Sequence, residues 1–538
     1  MGLSGFGVGP LSLLRVRAGV WVATLAAALV APAAASAATF AVTNTNDAGE
    51  GSLRAAITQA NARDGADTID ASGVSGAIEL WSALPELTDP VELVGPGPEL
   101  LTVRRTDDVP LLNFRIFNFN RAQEARISGF TLRTGATSGG GGGAISSVNT
   151  KLHARDLHLT ENAATTGGAV YVNGGEVLIE ESLITGNRAT FGGGVSVANG
   201  GALTLVRSAV VTNTAVEAGA GVLVAAGDND VTARGSTIAS NTVLSADPQD
   251  PGGGGIGALD GARGTILVES STIANNSAPV GSALQVGESP TTVRSSIITG
   301  ACAQEVSSLG YNLATDAPCG LDQPTDQTGV NPLLGPLADN GGPTPTMLPR
   351  PGSPAIDKGF AGDLETDQRG LPRVDFKAIA NAAGGDGADV GAAERQDETA
   401  PALNAKRPKV NRKQRSVKLR FKATDDATGK LTFRCKLDRK KFKRCKSPVA
   451  YKRLKPGKHR ITVRAIDAAG NRAQAAKRFK VPKAKKKRAL GAQRCRRGST
   501  LRRPASGAAP SAWTESPVVG ARYWCYFASA FAQAIRGD

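Results

Sequence analysis

The residues that could bind a metal or transfer a proton are few, and they lie in a Gly-rich part of the chain. Asp228 and Asp230 flank Asn229 in a Gly-flanked turn. Oxygen-bearing side chains of this kind are the ligands that calcium uses, but such triplets also form plain loops, so the metal stays unassigned. His153 and His158, two of only three histidines, lie on predicted strands, which favours a structural role over the catalytic alternative.

Arginine is the second kind of candidate in this region. Arg207 and Arg294 each precede a serine at positions that the repeats make equivalent, so we expect both on one face. A base must lie within hydrogen-bond reach of the proton that it removes, and Asp156 and Asp260 are the other acidic residues of the coils that we note. The chain contains no nucleophile elbow, HExxH motif or phosphate-binding loop. The sequence therefore names no catalytic residue, and enzyme activity is left as the alternative.

These residues are carried by a repeat that runs from Gly139 to Gly300. Each copy has a Gly pair, a short apolar strand, a turn, a second strand and the pattern S-x-I/V-x-x-N. The closing asparagines, at separations of 25, 26, 28 and 35 residues, are Asn162, Asn187, Asn213, Asn241 and Asn276. A period of this length marks a solenoid, and apolar residues at spacing two indicate strands. The sequence therefore predicts an all-β protein built on a parallel β-helix.

The composition fits a narrow, tightly stacked core. Aromatic residues make up 4% of the chain, and glycine occurs 65 times without a three-residue period, which excludes collagen. No internal apolar run approaches the ~20 residues of a membrane helix. We interpret the repeated asparagines as a structural ladder whose side-chain amides bond along the stack. A row of ligand-binding asparagines is the alternative.

Motifs on both sides of the repeats resemble one bacterial family. The segments are GSLRAAI (51–57), NPLLGPLADNGGPTPTMLPRPGSPAIDKG (331–359), TDQRGLPR (366–373) and ADVGAAE (388–394). They resemble secreted right-handed parallel β-helix proteins of the pectate-lyase-like superfamily that carry a CSLREA-type motif and a choice-of-anchor Q region. Gly51 stands where the motif has Cys, and Ala55 where Glu is usual. The resemblance implies the fold and export, and it makes a polysaccharide lyase or glycoside hydrolase the alternative function.

The N-terminus has the pattern of a secretory signal. Arg15 and Arg17 precede an apolar run that ends at Ala35-Ser36-Ala37, so we expect residues 1–37 to be removed. Export permits disulfides, and Cys302 and Cys319 lie in a loop-rich segment that favours one. We assign 38–395 to the β-helix, with a short N-terminal helix over its first coil and terminal coils and a cap in 331–395.

The charge divides the chain in two. Residues 1–395 hold 23 Lys and Arg against 39 Asp and Glu, a net charge of −16, whereas residues 396–538 hold 40 against 8, or +32. Within 396–483, short alternating strands predict an Ig-like sandwich. The segment is similar to bacterial Ig-like repeats, and the resemblance implies a disulfide between Cys435 and Cys445. Residues 484–538 are basic and of low complexity, which predicts disorder.

A charge of this size favours an anionic partner over a merely solvated surface. The expected binding residues are Lys418, Arg420, Lys422, Arg439, Lys440, Lys441, Lys443 and Arg444. We expect the partner to be a carbohydrate or an anionic polymer of the cell envelope. No motif that reads nucleic-acid bases occurs.

The sequence therefore predicts a secreted or cell-surface-associated β-helix protein, non-catalytic, that acts in adhesion or polymer binding. We expect a monomer without a transmembrane helix after signal cleavage. No cofactor is expected, apart from calcium if the Asp228–Asp230 turn binds it.

Overall fold

The fold is described from a computed structural model. It covers residues 37–106, 113–247, 252–316, 319–427 and 429–483. The expected signal peptide, apart from Ala37, and the expected disordered tail lie outside these residues. The protein is nearly all β, with 44% of residues in strands and 2% in helix.

From residue 37, where the described part begins, the N-terminal region contains one helix, α1 (Leu53–Ala60), and short strands. Up to the main repeats these are β1 (Thr39–Ala41), β2 (Asp67–Asp70), β3 (Gly76–Leu80), β4 (Val91–Val94), β5 (Leu101–Arg105), β6 (Phe117–Asn120), β7 (Glu124–Arg133) and β8 (Ala136–Gly141). The repeats contain β9 (Ile145–Thr160), β10 (Ala163–Thr166), β11 (Val170–Glu180), β12 (Leu183–Thr185), β13 (Arg188–Phe191), β14 (Val195–Ala198), β15 (Ala202–Val206), β16 (Ala209–Val211), β17 (Thr214–Ala218), β18 (Val222–Val224), β19 (Asp230–Arg234), β20 (Thr237–Ala239) and β21 (Thr242–Val243).

The remaining strands finish the repeats and build the basic segment. The first group is β22 (Ile256–Ala258), β23 (Ile266–Glu269), β24 (Thr272–Ala274), β25 (Leu284–Gln285), β26 (Thr291–Arg294), β27 (Ile297–Ile298), β28 (Ser307–Ser308), β29 (Leu313–Ala314) and β30 (Gln327–Thr328). The second is β31 (Ala402–Ala405), β32 (Lys409–Asn411), β33 (Ser416–Leu419), β34 (Phe421–Thr424), β35 (Thr432–Leu437), β36 (Lys443–Arg444), β37 (Val449–Tyr451), β38 (Gly457–Ile466) and β39 (Arg472–Val481).

Strands one repeat apart pair in parallel, which confirms the predicted solenoid. It spans residues 39–298 and makes about ten turns. Val170 on β11, for example, lies opposite Ile145 of the preceding coil and Val195 of the next. Inward positions hold small aliphatic side chains, so each coil buries its apolar face against its neighbours. The largest fully buried side chains of the described residues include three aromatic ones, Phe117, Phe119 and Phe130, in the early coils.

The recurrent asparagines form a continuous buried column. Asn213 donates its side-chain amide to the side-chain oxygen of Asn241 at 3.0 Å and accepts from the Asn187 amide at 2.9 Å. The residue before each asparagine has a left-handed backbone: Glu161, Gly186, Thr212, Ser240 and Asn275. The preceding residue turns the chain, so that the asparagine can point inward.

A second column, of serines, runs beside the asparagines. Each serine hydroxyl accepts from the backbone N–H of the equivalent residue one coil earlier, as Ser236 does from Ser208 at 3.1 Å. That residue is a serine in every coil except the first, where Leu157 donates to Ser182. Its members are Ser182, Ser208, Ser236, Ser271 and Ser296. Together the two columns satisfy backbone groups at corners that the strand ladder leaves open.

The two glycines of each Gly pair have different structural roles. Gly167 has a φ of 62°, so it supplies the left-handed turn. At Gly168 an added Cβ would lie 2.2 Å from the Gly193 carbonyl oxygen of the next coil. The second glycine is therefore required by the close approach of stacked coils.

The predicted helix face packs onto the first coils. Leu53, Ala56, Ile57 and Ala60 are all buried, and Ser52 caps the helix by accepting from the Ala55 N–H. The helix contacts β1 and β2. It therefore covers the first coil, as we expected from the sequence.

The segment 331–395 lies along the side of the solenoid. Leu334, Leu337 and Met347 pack on outward-facing alanine and valine side chains of β16, β20 and β24. Gln368 accepts from the hydroxyl of Thr237 at 2.6 Å inside this contact. We expected terminal coils and a cap here. The apolar residues instead cover an outer apolar strip, which would otherwise face water.

The basic segment 396–483, called the basic module below, contains three small antiparallel sheets. Their strand orders are β31-β34, β32-β33-β37 and β36-β35-β38-β39, and they share one apolar core. The predicted strand 416–425 alternates in burial as expected but is divided at Arg420 between two sheets. Disulfides join Cys302 to Cys319 and Cys435 to Cys445. Among the described residues no helix has the length and apolarity to cross a membrane.

Candidate functional site

The Asp228–Asp230 turn is held by its own hydrogen bonds. The Asn229 side chain is buried and bonds the backbone of Gly200, Ala225 and Ala226. Asp230 accepts from the N–H and the hydroxyl of Thr265 at 2.7 and 2.6 Å. Within the part of the chain that the structure describes, neither aspartate belongs to a group of three potential metal ligands. The geometry is that of a structural loop.

A column of ion pairs runs along one corner of the solenoid. Arg207 contacts Glu180 at 2.7 Å and Glu181 at 2.8 Å, and Arg155 contacts Glu181 at 2.7 Å. Burial works against the charge of Glu181, but hydrogen bonds from Arg207 and Arg155 hold its pKa below the ordinary value. A carboxylate held charged between two arginines is a poor proton acceptor, so this group fits a structural ladder.

The column continues with Glu269, which is buried between two arginines. Arg234 donates to it at 2.7 Å, and Arg294 donates from the other side. Going back one coil at a time from Arg294, the register passes through Glu269, then Arg234, and then Val206. The expected equivalence of Arg207 and Arg294 is therefore wrong by one residue, although both lie at the same corner.

The two histidines of this region lie on β9 and face outward in part. The His153 Nε2 lies 3.2 Å from a carboxylate oxygen of Glu180, so the ring joins the ion-pair column. Burial lowers the pKa of His158. Glu180 is already bound by Arg207, and the His158 Nε2 is buried without a hydrogen-bond partner, so we assign both rings a structural role.

The cations predicted to bind a polymer lie on different parts of the basic module. Lys418 faces outward on β33, opposite Lys409. Arg420 and Lys422 are exposed at the start of β34. The others occupy the exposed loop and short strand between β35 and β37: Arg439, Lys440, Lys441, Lys443 and Arg444. Of the eight, the register places Arg444 on the outward face of the four-stranded sheet.

The outward face of the four-stranded sheet gathers many positive charges. Residues directly opposite each other in an antiparallel pair project from the same face. The register therefore gathers nine cations, here called the cationic face: Arg434, Lys436, Arg444, Lys458, Arg460, Arg464, Arg472, Arg478 and Lys480. The sequence analysis missed eight of them, although basic residues at spacing two in 458–464 and 478–480 were a usable signal.

The charges of the cationic face are opposed to one another across the strands. Lys458 lies opposite Lys480, and Arg460 opposite Arg478. Arg434 lies between Arg444 and Arg464. None of the nine side chains forms an ion pair with any carboxylate in the described part of the chain. The face is thus a regular array of uncompensated positive charge.

Phe442 is the aromatic residue on this face. The Lys436 ammonium lies 4.6 Å from its ring centroid, and the Arg464 guanidinium lies 4.3 Å from it. Cations over a ring at this distance are attracted by its electrons. Phe442 therefore fixes two cations of the face and the hairpin that bears it.

Searches of protein-family models, of curated proteins and of solved structures found no match for this chain.

Proposed function

We propose that the protein is exported to the cell surface and binds anionic polymers of the cell envelope through the cationic face, with the solenoid as a rigid, non-catalytic scaffold. The observation that carries this proposal is the series of like-charged pairs directly opposite each other on β35, β36, β38 and β39. Like charges in such positions destabilise a sheet. A bound polyanion would remove that cost and gain the attraction of the whole array.

The composition of the face favours phosphate or carboxylate groups. Six of the nine cations are arginines, whose planar guanidinium groups bond such anions through two parallel N–H donors. Alternate residues along a strand lie about 7 Å apart, and neighbouring strands lie ~4.8 Å apart. The spacing suits a polymer that carries an anion on each repeating unit. A regular array of this kind does not distinguish one order of polymer units from another.

Export is supported by two disulfides, which persist in oxidising compartments. The motifs at 51–57 and 331–394 support assignment of the solenoid to the right-handed, pectate-lyase-like superfamily, and the basic module resembles bacterial Ig-like domains. On the solenoid, the carboxylates of the charged column, such as Glu180 and Glu269, are bound by arginines and are not free to act as bases. This favours contact and adhesion over polysaccharide cleavage.

The proposal is tested by binding of the full chain to an immobilised polyphosphate and to a polyuronate, which separate phosphate from carboxylate recognition. One variant removes four charges of the cationic face: Arg434→Gln, Arg460→Gln, Arg478→Gln and Lys480→Gln. The matched control removes four charges from the sheet β32-β33-β37 and its loop: Lys409→Gln, Lys413→Gln, Lys418→Gln and Lys452→Gln.

We expect the face variant to lose at least about tenfold more affinity than the control, because both carry the same net charge and only one disrupts the array. Equal losses would show that net charge alone drives binding and would reject the cationic face. Failure of the wild-type chain to bind either polymer at low salt would reject the function.

A further inference from the structure

The few acids of the basic module are gathered at one place. Residues 396–483 contain 29 Lys and Arg but only six Asp and Glu. Four of the six come together although they are far apart in sequence: Asp397, Asp425, Asp426 and Asp467. Asp397 precedes the first strand of the module, Asp425 and Asp426 follow β34, and Asp467 follows β38. Most of the negative charge of this strongly basic module therefore lies in one cluster.

The cluster has the dimensions of an ion site. Carboxylate oxygens of Asp397, Asp425 and Asp426 all lie within 4.8 Å of one another. Asp397 is 5% exposed and Asp467 is 6% exposed. One oxygen of Asp467 and one of Asp425 are buried without any hydrogen-bond partner. Buried carboxylate oxygens are costly unless they are paired or coordinate a metal, so these two atoms point to a missing cation.

No side chain of the described residues forms an ion pair with these carboxylates. The Lys377 charge acts on Asp425, but its ammonium donates to the backbone carbonyls of Asp425 and Ala427. None of the four aspartates forms an ion pair with a Lys, Arg or His in the described part of the chain. Burial, followed by the charges of the neighbouring aspartates, raises the pKa of Asp425. The carboxylates therefore repel one another in a partly desolvated place.

We propose that this cluster binds a calcium ion. Calcium takes six to eight oxygen ligands in flexible geometry. The three carboxylates within 4.8 Å of one another, with the neighbouring Asp467, carbonyl groups and water, can provide them. Magnesium demands a stricter octahedron, and zinc prefers nitrogen and sulfur ligands, which the cluster does not offer. The site is distinct from the Asp228–Asp230 turn and independent of polymer binding.

The position of the cluster gives the ion a structural consequence. Asn471, in the turn that begins at Asp467, donates its side-chain amide to the Asp397 carbonyl oxygen at 2.7 Å. The Lys377 N–H donates to the Asp426 carbonyl oxygen, and Phe376 bridges to Ala427. Calcium would therefore tie the entry of the module to two of its loops, beside the place where segment 331–395 meets it.

The test is calcium titration of the full chain after treatment with a chelator, followed by isothermal calorimetry and by the unfolding temperature. We expect one ion per chain, with a dissociation constant of about 10⁻⁴ M or below. Saturation should raise the unfolding temperature of the module by at least about 3 °C. Magnesium at the same concentration should give a smaller shift.

The decisive variant is Asp425→Asn, with Asp438→Asn as the control. Asp438 is an acid of the same module outside the cluster, where it pairs with His459 at 2.9 Å. Without calcium, Asp425→Asn should unfold at the same or a higher temperature than wild type, because one repelling charge is gone. With calcium it should show less than a tenth of the wild-type affinity, whereas Asp438→Asn should bind normally.

Absence of calcium binding by the wild-type chain at 5 mM would overturn the proposal. Normal binding by Asp425→Asn would overturn it as well. A variant that is less stable than wild type without calcium would show that Asp425 serves the fold directly and would also count against an ion site.

Discussion

Arg460 lies directly opposite Arg478 across β38 and β39, and both guanidinium groups project from the same exposed face. No carboxylate pairs with either one in the described part of the chain. A sheet that served only as a scaffold would gain from an acid at one of these positions, since opposite charges in such a pair contribute roughly 0.2–1 kcal/mol. The arrangement sacrifices stability in favour of a continuous positive surface.

The substitution Arg478→Glu should therefore change stability and binding in opposite directions. The new carboxylate would face Arg460, so the free energy of unfolding of the module should rise by about 1 kcal/mol. Affinity for an anionic polymer should fall at least tenfold, because one cation is lost and an anion is gained. Amide hydrogen exchange of β38 and β39 measures the first effect, and polymer binding the second. A variant that loses both would indicate a misfolded sheet.

Removal of the ring in Phe442→Ala should loosen the hairpin between β35 and β37. Lys436 and Arg464 lose their contacts with the ring, each worth about 0.5–1 kcal/mol at an exposed site. We expect a loss of about 1–2 kcal/mol in the module and a severalfold drop in polymer affinity. Phe442→Tyr keeps the ring and serves as the control. Wild-type stability in Phe442→Ala would contradict a role for the ring.

The asparagine column should be essential for the middle coils. Asn213→Ala leaves the Asn187 N–H and side-chain amide without their acceptor in a buried place. Unsatisfied buried groups of this kind cost about 1–3 kcal/mol each, so we expect a loss of about 2–4 kcal/mol in urea unfolding. Asn173→Ala removes an exposed side-chain pair with Asn199 and should cost under about 0.5 kcal/mol. Similar costs at both positions would contradict a structural column.

Segment 331–395 contains buried acids that should make stability depend on pH. Burial raises the pKa of Asp357 to about 6, and that of Glu394 to about 7 despite its contact with Arg373. An acid whose pKa is higher in the folded protein holds its proton more tightly there. Its contribution is therefore greatest at low pH and is lost as the pH rises from about 4 to about 7.

We expect the urea midpoint to fall between pH 5 and pH 8, and Asp357→Asn to flatten that fall. One oxygen of Asp357 has no hydrogen-bond partner and the other accepts from the Phe376 N–H. The amide removes the cost of a buried charge and should stabilise the chain by up to about 3 kcal/mol at pH 8. Asp260→Asn, at an exposed turn, should keep the wild-type profile. If the urea midpoint of Asp357→Asn falls with pH as in the wild type, Asp357 is not the source of the pH dependence.

The sequence predicted those features that depend on local periodicity. Asn187 and Asn213 mark one repeat, and a period of that length specifies a stacked coil and a buried column before any contact is known. The alternation of Val417, Lys418 and Leu419 likewise predicts a half-buried strand, and the structure has one there.

Features that depend on how distant segments meet were not predictable in the same way. Segment 331–395 has no repeat. Its sequence therefore does not predict that Met347 packs on the side of coils more than 70 residues away. The cationic face needs the pairing of β35, β38 and β39, since only the register tells which charges share a side. Arg207 directly precedes the column serine Ser208, whereas Ser295 separates Arg294 from Ser296, so the two arginines are displaced by one residue.

The most direct test of the central claim is the salt dependence of polyphosphate binding by the full chain and by the four-charge variant of the cationic face. If the face neutralises several phosphates, the logarithm of affinity should fall linearly with the logarithm of salt concentration, as counterions are released. The four-charge variant should lower that slope by about 3, and the matched control should leave it nearly unchanged. A wild-type affinity that is insensitive to salt, or a slope that the face variant does not alter, would contradict the account.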